Sequence, residues 1–332
     1  MHLKNCKSIG APMAISVNDH GLIVVKDAVG KSEELGVTVE VNVDGSTIID
    51  MGVSAKGGFL AGKYLTDMCM GGLCSTGLGT VSIDGLVLPS IVVATDYPSI
   101  ALLGSQFAGW RISVGEYFAM GSGPARALAL KPKELYVKID YKDSSKVAVI
   151  VLEADSKPAE DVTKFIAEKC GVEANNLYVA IAPTSSLAGS TQISGRIVEM
   201  GLHKLSERGL DPKLVRYGIG EAPIAPIHPK SNKAMGRTND MILYGGRVYF
   251  EVEHENDDDL DKIVKETPSS TSTSYGKPFY DTFKESGFDF YKIDAGLFAP
   301  AVVTVNNLKT GRIHSAGKIN EEILLKSIGY ID

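Results

Sequence analysis

Four cysteines, Cys6, Cys69, Cys74 and Cys170, are few for a chain of 332 residues. Neither their number nor their spacing makes the disulfide framework of a small secreted domain, so they read as reduced, cytosolic thiols. Cys69 and Cys74 have no second Cys or His pair nearby, and packing is preferred to a metal knuckle. The six histidines, His2, His20, His203, His228, His254 and His314, are scattered with no two at ligand spacing, and no metal site is expected. Positive charge is also short: 34 Lys and Arg stand against 40 Asp and Glu, a net charge of −6. That excludes a nucleic-acid binder, which needs a basic surface, but leaves room for an anionic small molecule met by a local basic cluster. Long apolar runs are missing too. The most apolar stretch, "GLVLPSIVVATDYPSIALLG", is broken by Pro89, Asp96 and Pro98 and cannot be a continuous spanning helix. It reads as a buried strand followed by a short helix. The leader "MHLKNCKSIGAPMAIS" has too short an apolar run for a signal peptide, so a cytoplasmic protein without a membrane partner is expected.

What is present is ordinary for a folded protein: 44% hydrophobic and 22% charged residues. The length favours two domains. Ser16 to Leu35 has a helical pattern, and "VTVEVNV" and "STIIDMGVS" alternate with period two around Asp44-Gly45, a hairpin signal. A helix near Gly58 to Met70 and strands around Gly79 to Asp84 and Leu86 to Thr95 follow. In the middle, "KVAVIVLEA", a helix from Pro158 to about Cys170, "LYVAIAP", a helix from about Gln192 to Arg208 and "KLVRYGIG" alternate as strand, helix, strand, helix, strand. That order predicts a parallel sheet with right-handed crossovers. The last third returns to hairpins, "MILYGGRVYFEVE" turning at Gly245-Gly246 and "AVVTVNNLKTGRIHSA" turning near Lys309 to Gly311. The expected fold is therefore mixed α/β with two α/β domains. Residues 13–105 together with 236–332 would form a discontinuous hairpin-and-helix domain, and 106–235 an inserted βαβα domain. "ENDDDLDK" lacks the glycine and distal Glu of a calcium loop and reads as a solvated helix start. "EAPIAPIHPKSNKAMGRTND" is a long proline-rich loop of the kind that carries function.

The stretch "GEYFAMGSGPARALAL" looks like a phosphate loop but ends in Pro-Ala-Arg-Ala without the Walker Lys, and Gly121-x-Gly123 lacks the third glycine of a dinucleotide fingerprint. Two readings stay open: a plain strand-to-helix turn, or a ligand contact at a helix start opened by Pro124. "GSTQISG" supplies no Gly-x-Ser-x-Gly elbow. In "TQISGRIVEMGLHKLSERG", Ile193, Ile197, Met200 and Leu205 fall on one side at about 100° per residue, and Arg196, Glu199 and His203 on a polar strip. This strip is either an exposed ion pair or a general base whose neighbouring Arg opposes the upward pKa shift of burial and keeps it ionised.

The strings "CMGGL", "YFAMGSGPARALALKP", "QISGRIVE", "AMGRTND", "YGKPFY" and "FYKIDAGLFAPA", in this order and spacing, resemble the methenyltetrahydromethanopterin cyclohydrolase family of methanogenic and related archaea. The resemblance runs from about Gly36 to the C-terminus, with Met13 matching the usual start. It implies a cytoplasmic, metal-free homotrimer with a large cleft between two α/β domains lying side by side. Its reaction interconverts a cyclic methenyl cation of tetrahydromethanopterin, or a related tetrahydropterin, and the N5-formyl product, with no permanently bound cofactor. The family's catalytic pair matches Arg196 and Glu199. The phosphate and carboxylates of the pterin's tail suit the Gly121-Ser122-Gly123 turn, Arg126 and Arg237, and Gln106, Asn239 and Asp240 join them as expected substrate-binding residues. Some members carry Lys where this chain has Phe107, so no basic side chain is expected from that loop. A competing reading from another class is a non-catalytic trimeric binder of a pterin or phosphorylated ligand. Phosphoryl transfer lacks the Walker Lys and a magnesium carboxylate cluster.

Overall fold

The computed structural model describes residues 15–289 and 292–331, so His2, Cys6 and Met13 lie outside the described residues. The helical N-terminal pattern is α1 (Val17–Gly30) with the short α2 (Ser32–Leu35), followed by strands β1 (Thr38–Val41) and β2 (Thr47–Asp50), which pair antiparallel around Asp44-Gly45. Helix α3 (Phe59–Cys69) leads to the β3 (Ser75–Ile83) and β4 (Leu86–Thr95) hairpin. The apolar stretch after Pro98 winds as a π-helical segment, Ser99–Gln106. Strands β5 (Trp110–Val114) and β6 (Tyr117–Ser122) come next, then α4 (Ala125–Ala129) and α5 (Lys133–Ile139).

The continuous apolar runs become β7 (Ala148–Glu153) and β8 (Leu177–Ala182), joined through α6 (Glu160–Cys170). They pair in parallel from Ala148↔Leu177 and are buried along nearly their whole length, as strands covered on both faces should be. Helices α7 (Leu187–Ser194) and α8 (Ile197–Glu207) precede β9 (Val215–Pro223), α9 (Ser231–Gly245), β10 (Arg247–Val252) and α10 (Asp257–Lys265). The chain closes with α11 (Phe279–Glu285), β11 (Val302–Asn307), β12 (Ile313–Gly317) and α12 (Glu321–Ile328). The acidic run is a helix start, as expected, with Asn256 capping α10.

The strands form two six-stranded mixed sheets, ordered β1-β2-β8-β7-β6-β5 and β12-β11-β10-β9-β4-β3. The mixed α/β class is the expected one, but three details differ. β9 does not continue the parallel sheet of β7 and β8; it runs antiparallel between β4 and β10 in the other sheet. There it closes a core in which Ile197, Val198, Leu202 and Leu205 of α8 meet Val215, Val248 and Phe250. "MILYGG" is not the first arm of a hairpin. Met241 to Gly245 complete α9, and a short fully buried apolar run has no periodicity to distinguish helix from strand. The strands also divide otherwise than at residues 106 and 235: β1 and β2 join the sheet of β5 to β8, and β9 joins the sheet of β3, β4 and β10. Among the described residues no helix is long and apolar enough to cross a membrane.

Candidate active site

The expected single helix over residues 192–208 is two helices. Gly195 (φ −65°, ψ −6°) and Arg196 (φ −84°, ψ 3°) interrupt it, and Arg196 N bonds back to Ile193 O at 3.0 Å, a three-residue step. The break sits where α3 crosses. A Cβ on Gly195 would lie 2.5 Å from Thr66 Oγ1, so only glycine allows the approach. Arg196 thereby occupies the N-cap of α8 and Glu199 its first turn, where the unpaired amides and the helix dipole favour negative charge.

Neither side chain is an exposed surface group. Arg196 is 8% and Glu199 4% exposed, and no ion pair within 4.0 Å links them among the described residues. Arg196 Nη1 donates to the Gln106 carbonyl at 2.7 Å and Nη2 to Ser122 Oγ at 2.9 Å. Gln106 Nε2 donates to the Gly195 carbonyl at 2.9 Å. Burial pushes the Glu199 carboxyl up to about 7, with Arg196 and Arg126 pulling it back. The expectation that the neighbouring Arg would keep the carboxylate firmly ionised is thus corrected, because desolvation outweighs the two cations. Glu199 is poised near neutrality.

Arg196 and Met200 line a cavity of about 480 Å3, a size suited to a small-molecule ligand. Glu199, between them in sequence, is not part of the lining. Phe118 and Met120 of β6, Ile193 of α7 and Met235 and Ile242 of α9 supply apolar walls. Asn239 lines the cavity as expected and donates through Nδ2 to the Met235 carbonyl at 2.8 Å.

The remaining expected residues lie elsewhere. Gly121, Ser122 and Gly123 are all buried and do not line the cavity. Gly123 takes φ +97°, and a Cβ there would rest at ordinary contact distance from the Val151 amide and Val149 carbonyl of β7, so the backbone conformation and not a lack of space calls for glycine. The turn is therefore the strand-to-helix connection, and its contribution to the site is Ser122, which holds Arg196. Arg126 is fully buried, with Nε and Nη1 on the carbonyls of Lys131, Leu103 and Ser105. It cannot meet a tail phosphate. Arg237 is half-buried on α9, bracing the carbonyls of Ile328, Pro226 and Ile227 away from the cavity. Asp240 is fully buried and accepts from Phe279 N and, at 2.5 Å, from Ser327 Oγ. Phe107 stacks on His203, ring centroids 4.7 Å apart.

Glu153 is the functional candidate that sequence reasoning missed. It ends β7, is half-buried, lines the cavity and accepts a hydrogen bond from Thr184, another lining residue. The available signal was a carboxylate closing a buried run at the C-terminal end of a parallel strand, where α/β sheets place ligands. Among the described residues no group of three or more His, Cys, Asp or Glu is placed to hold a metal ion.

A mixed α/β fold with a small-molecule cavity, a guanidinium at its wall and a buried carboxyl one turn away is the architecture of a small-molecule enzyme. The chain belongs to the cyclohydrolase (MCH) family, whose model matches residues 16–328. It is 51% identical over 315 residues to the methenyltetrahydromethanopterin cyclohydrolase of Methanococcoides burtonii, covering 95% of this chain and 98% of that protein. The protein of the same name from Methanothermobacter thermautotrophicus is also 51% identical, over 319 residues covering 95% and 99% of the two chains. That of Methanocaldococcus jannaschii is 47% identical over 321 residues, covering 96% and 99%.

Proposed function

We propose that this chain is a methenyltetrahydromethanopterin cyclohydrolase that adds water reversibly to the cyclic methenyl cation and opens it to the N5-formyl derivative, with Glu199 as general base. The observation that carries the reading is the placement of Glu199: buried, its carboxyl pushed up to about 7 by that burial, and one turn after the cavity-lining Arg196. The methenyl carbon is already an amidinium electrophile, so water needs only a base and a fixed geometry. Water entering from the cavity gives its proton to Glu199 as its oxygen bonds to carbon. The same carboxyl, with a pKa near the working pH, then returns that proton to the ring nitrogen as the C–N bond breaks. The hydroxyl proton of the tetrahedral intermediate leaves to solvent as the formyl C=O forms, and it is the one net proton that hydrolysis of the cation releases. Arg196, fixed by Gln106 and Ser122, orients this exchange and offsets the burial of the carboxylate. Glu153 at the cavity wall favours a cationic ligand, and its acceptor oxygens match the N–H donors of a pterin ring. The substrate is a tetrahydromethanopterin derivative with no permanently bound cofactor, and the working unit is a cytoplasmic homotrimer.

The test is ultraviolet absorbance of the methenyl cation with purified protein. Consumption faster than spontaneous hydrolysis supports the proposal. Tight binding without acceleration would replace it with a non-catalytic pterin binder.

A further inference from the structure

Arg126 is a buried cation in search of a reason. Its side chain is fully enclosed, with Cζ 5.2 Å from the Phe107 ring centroid and 5.7 Å from that of Tyr136. Nε donates to Lys131 O at 2.8 Å, and Nη1 to Leu103 O at 3.2 Å and Ser105 O at 3.0 Å. Among the described residues Nη2 has no hydrogen-bond partner and no carboxylate lies within ion-pair distance. Sealing the last carbonyls of the π-helical segment explains the two contacts to Leu103 and Ser105, and closing the turn after α4 explains the third. Neither explains why a full charge is buried where neutral donors would serve, since an uncompensated buried charge is costly.

The explanation lies in what shares the strap. Arg126 holds the Ser105 carbonyl and Arg196 the next one, Gln106, at 2.7 Å, while Gln106 Nε2 ties the strap to Gly195. The two guanidiniums therefore grip consecutive carbonyls from different elements, and Glu199, one turn after Arg196, is the buried carboxylate on which both act. Further titratable neighbours are the Tyr136 phenol of α5, beside Arg126, and the Cys69 thiol at the end of α3. The π-helical segment brings Phe107, stacked on His203 a turn further along α8. Strands β4, β9 and β10 and the loop before β9 bring apolar Ile91, Val93, Val215, Phe250 and Leu214 to the core that α8 joins.

We propose that Arg126 is a positioning residue for Glu199: it holds the Ser105–Gln106 strap, and through it Arg196, and supplies the second buried positive charge acting on that carboxylate. This deepens the assignment of Glu199 as the base and rests on it. Arg126 does not line the cavity, so it acts without touching substrate.

The test uses two neutral variants, Arg126→Met and Arg126→Gln, the latter keeping donors for the carbonyls, and the charged Arg126→Lys. For each, kcat and KM are measured against pH, and the Glu199 carboxyl is titrated by infrared difference spectroscopy with Glu199→Gln as the blank. Removing the cation should move both the carboxyl midpoint and the acid limb of kcat to higher pH by about one unit. Below the limb that is a tenfold loss of rate; KM should be unchanged, and Arg126→Lys should restore the limb. A folded neutral variant with the wild-type midpoint overturns the proposal. If neither neutral variant folds, Arg126→Lys decides: a wild-type limb supports the role of the charge, and a limb displaced by a full unit overturns it. A carboxyl midpoint that moves while the rate limb stays fixed would leave Arg126's role standing and count against Glu199 as the base.

Discussion

Glu199 and Asp240 are both buried carboxyls pushed towards neutrality, the first to about 7 and the second to about 8, chiefly by desolvation. They differ in their neighbours. Glu199 has two guanidiniums acting on it, whereas Asp240 accepts from the Phe279 amide and the Ser327 hydroxyl and faces the like charge of Asp281. The first is the proposed base; the second ties α9 to the start of α11 and to α12. Asp240 rises from 3.8 to about 8 on folding, so the fold prefers its protonated form. Its contribution to stability is complete below about pH 4 and is lost as pH rises through about 8. Thermal melts of the wild type should fall in Tm from pH 5 to pH 8, and Asp240→Asn should flatten that slope while leaving the smaller part due to Glu199, which has the same sign. An unchanged slope would mean that Asp240 is ionised in the fold. At this scale the sequence placed Arg196 and Glu199 one turn apart, and the structure buries both at the start of α8. The places of Arg126 and Arg237 were not legible, because a guanidinium's partners here are backbone carbonyls far along the chain, invisible to any local pattern.

Among the elements, the hairpin at Asp44-Gly45, the α3 helix, the parallel pair β7 and β8 and the β11–β12 hairpin follow from patterns that local physics enforces. The break between α7 and α8 does not. Its cause is Thr66 of α3 against Gly195, a contact that only the folded chain creates. The course of β9 was likewise hidden, since its apolar residues would suit either sheet and the choice is made by packing with α8. The Gly-Ser-Gly turn shows the same limit: its glycines suggested room for a ligand, but the turn is buried and does not line the cavity, and Gly123 is called for by its positive φ. Gly123→Val should therefore act on the fold, by about 1–3 kcal/mol for a non-glycine residue forced to positive φ. A fall in Tm is expected, with substrate affinity of the folded fraction near normal. Loss of affinity at unchanged Tm would restore the turn as a ligand contact.

For the whole molecule, the strands that line the cavity belong to the first sheet. β6 and β7 supply lining residues, as do the turns after β7 and β8, α7 and α8, which lead from the first sheet to the second, and α9, which joins β9 to β10 within the second. Expecting the mixed α/β class was sound because strand and helix periodicities survive tertiary packing. The division into segments was not readable, because strand exchange between sheets leaves no mark on composition. The second sheet leaves Tyr217 51% and Ile219 45% exposed beside Val92 and Tyr249, an apolar face that subunit association would cover. Light scattering of the purified protein should give the mass of three chains of 35.4 kDa each, and Ile219→Asp should lower it. A wild-type monomer would contradict the proposed trimer.

The most direct test of the account is turnover by Glu199→Gln, with methenyl-cation binding measured alongside. Gln keeps the shape of the side chain and removes the base. Turnover should fall by about 10²–10⁴-fold, as general acid–base catalysis predicts, with binding and Tm little changed. Near-normal turnover in a folded, substrate-binding Glu199→Gln protein would contradict the assignment of Glu199 as the group that takes the proton from water.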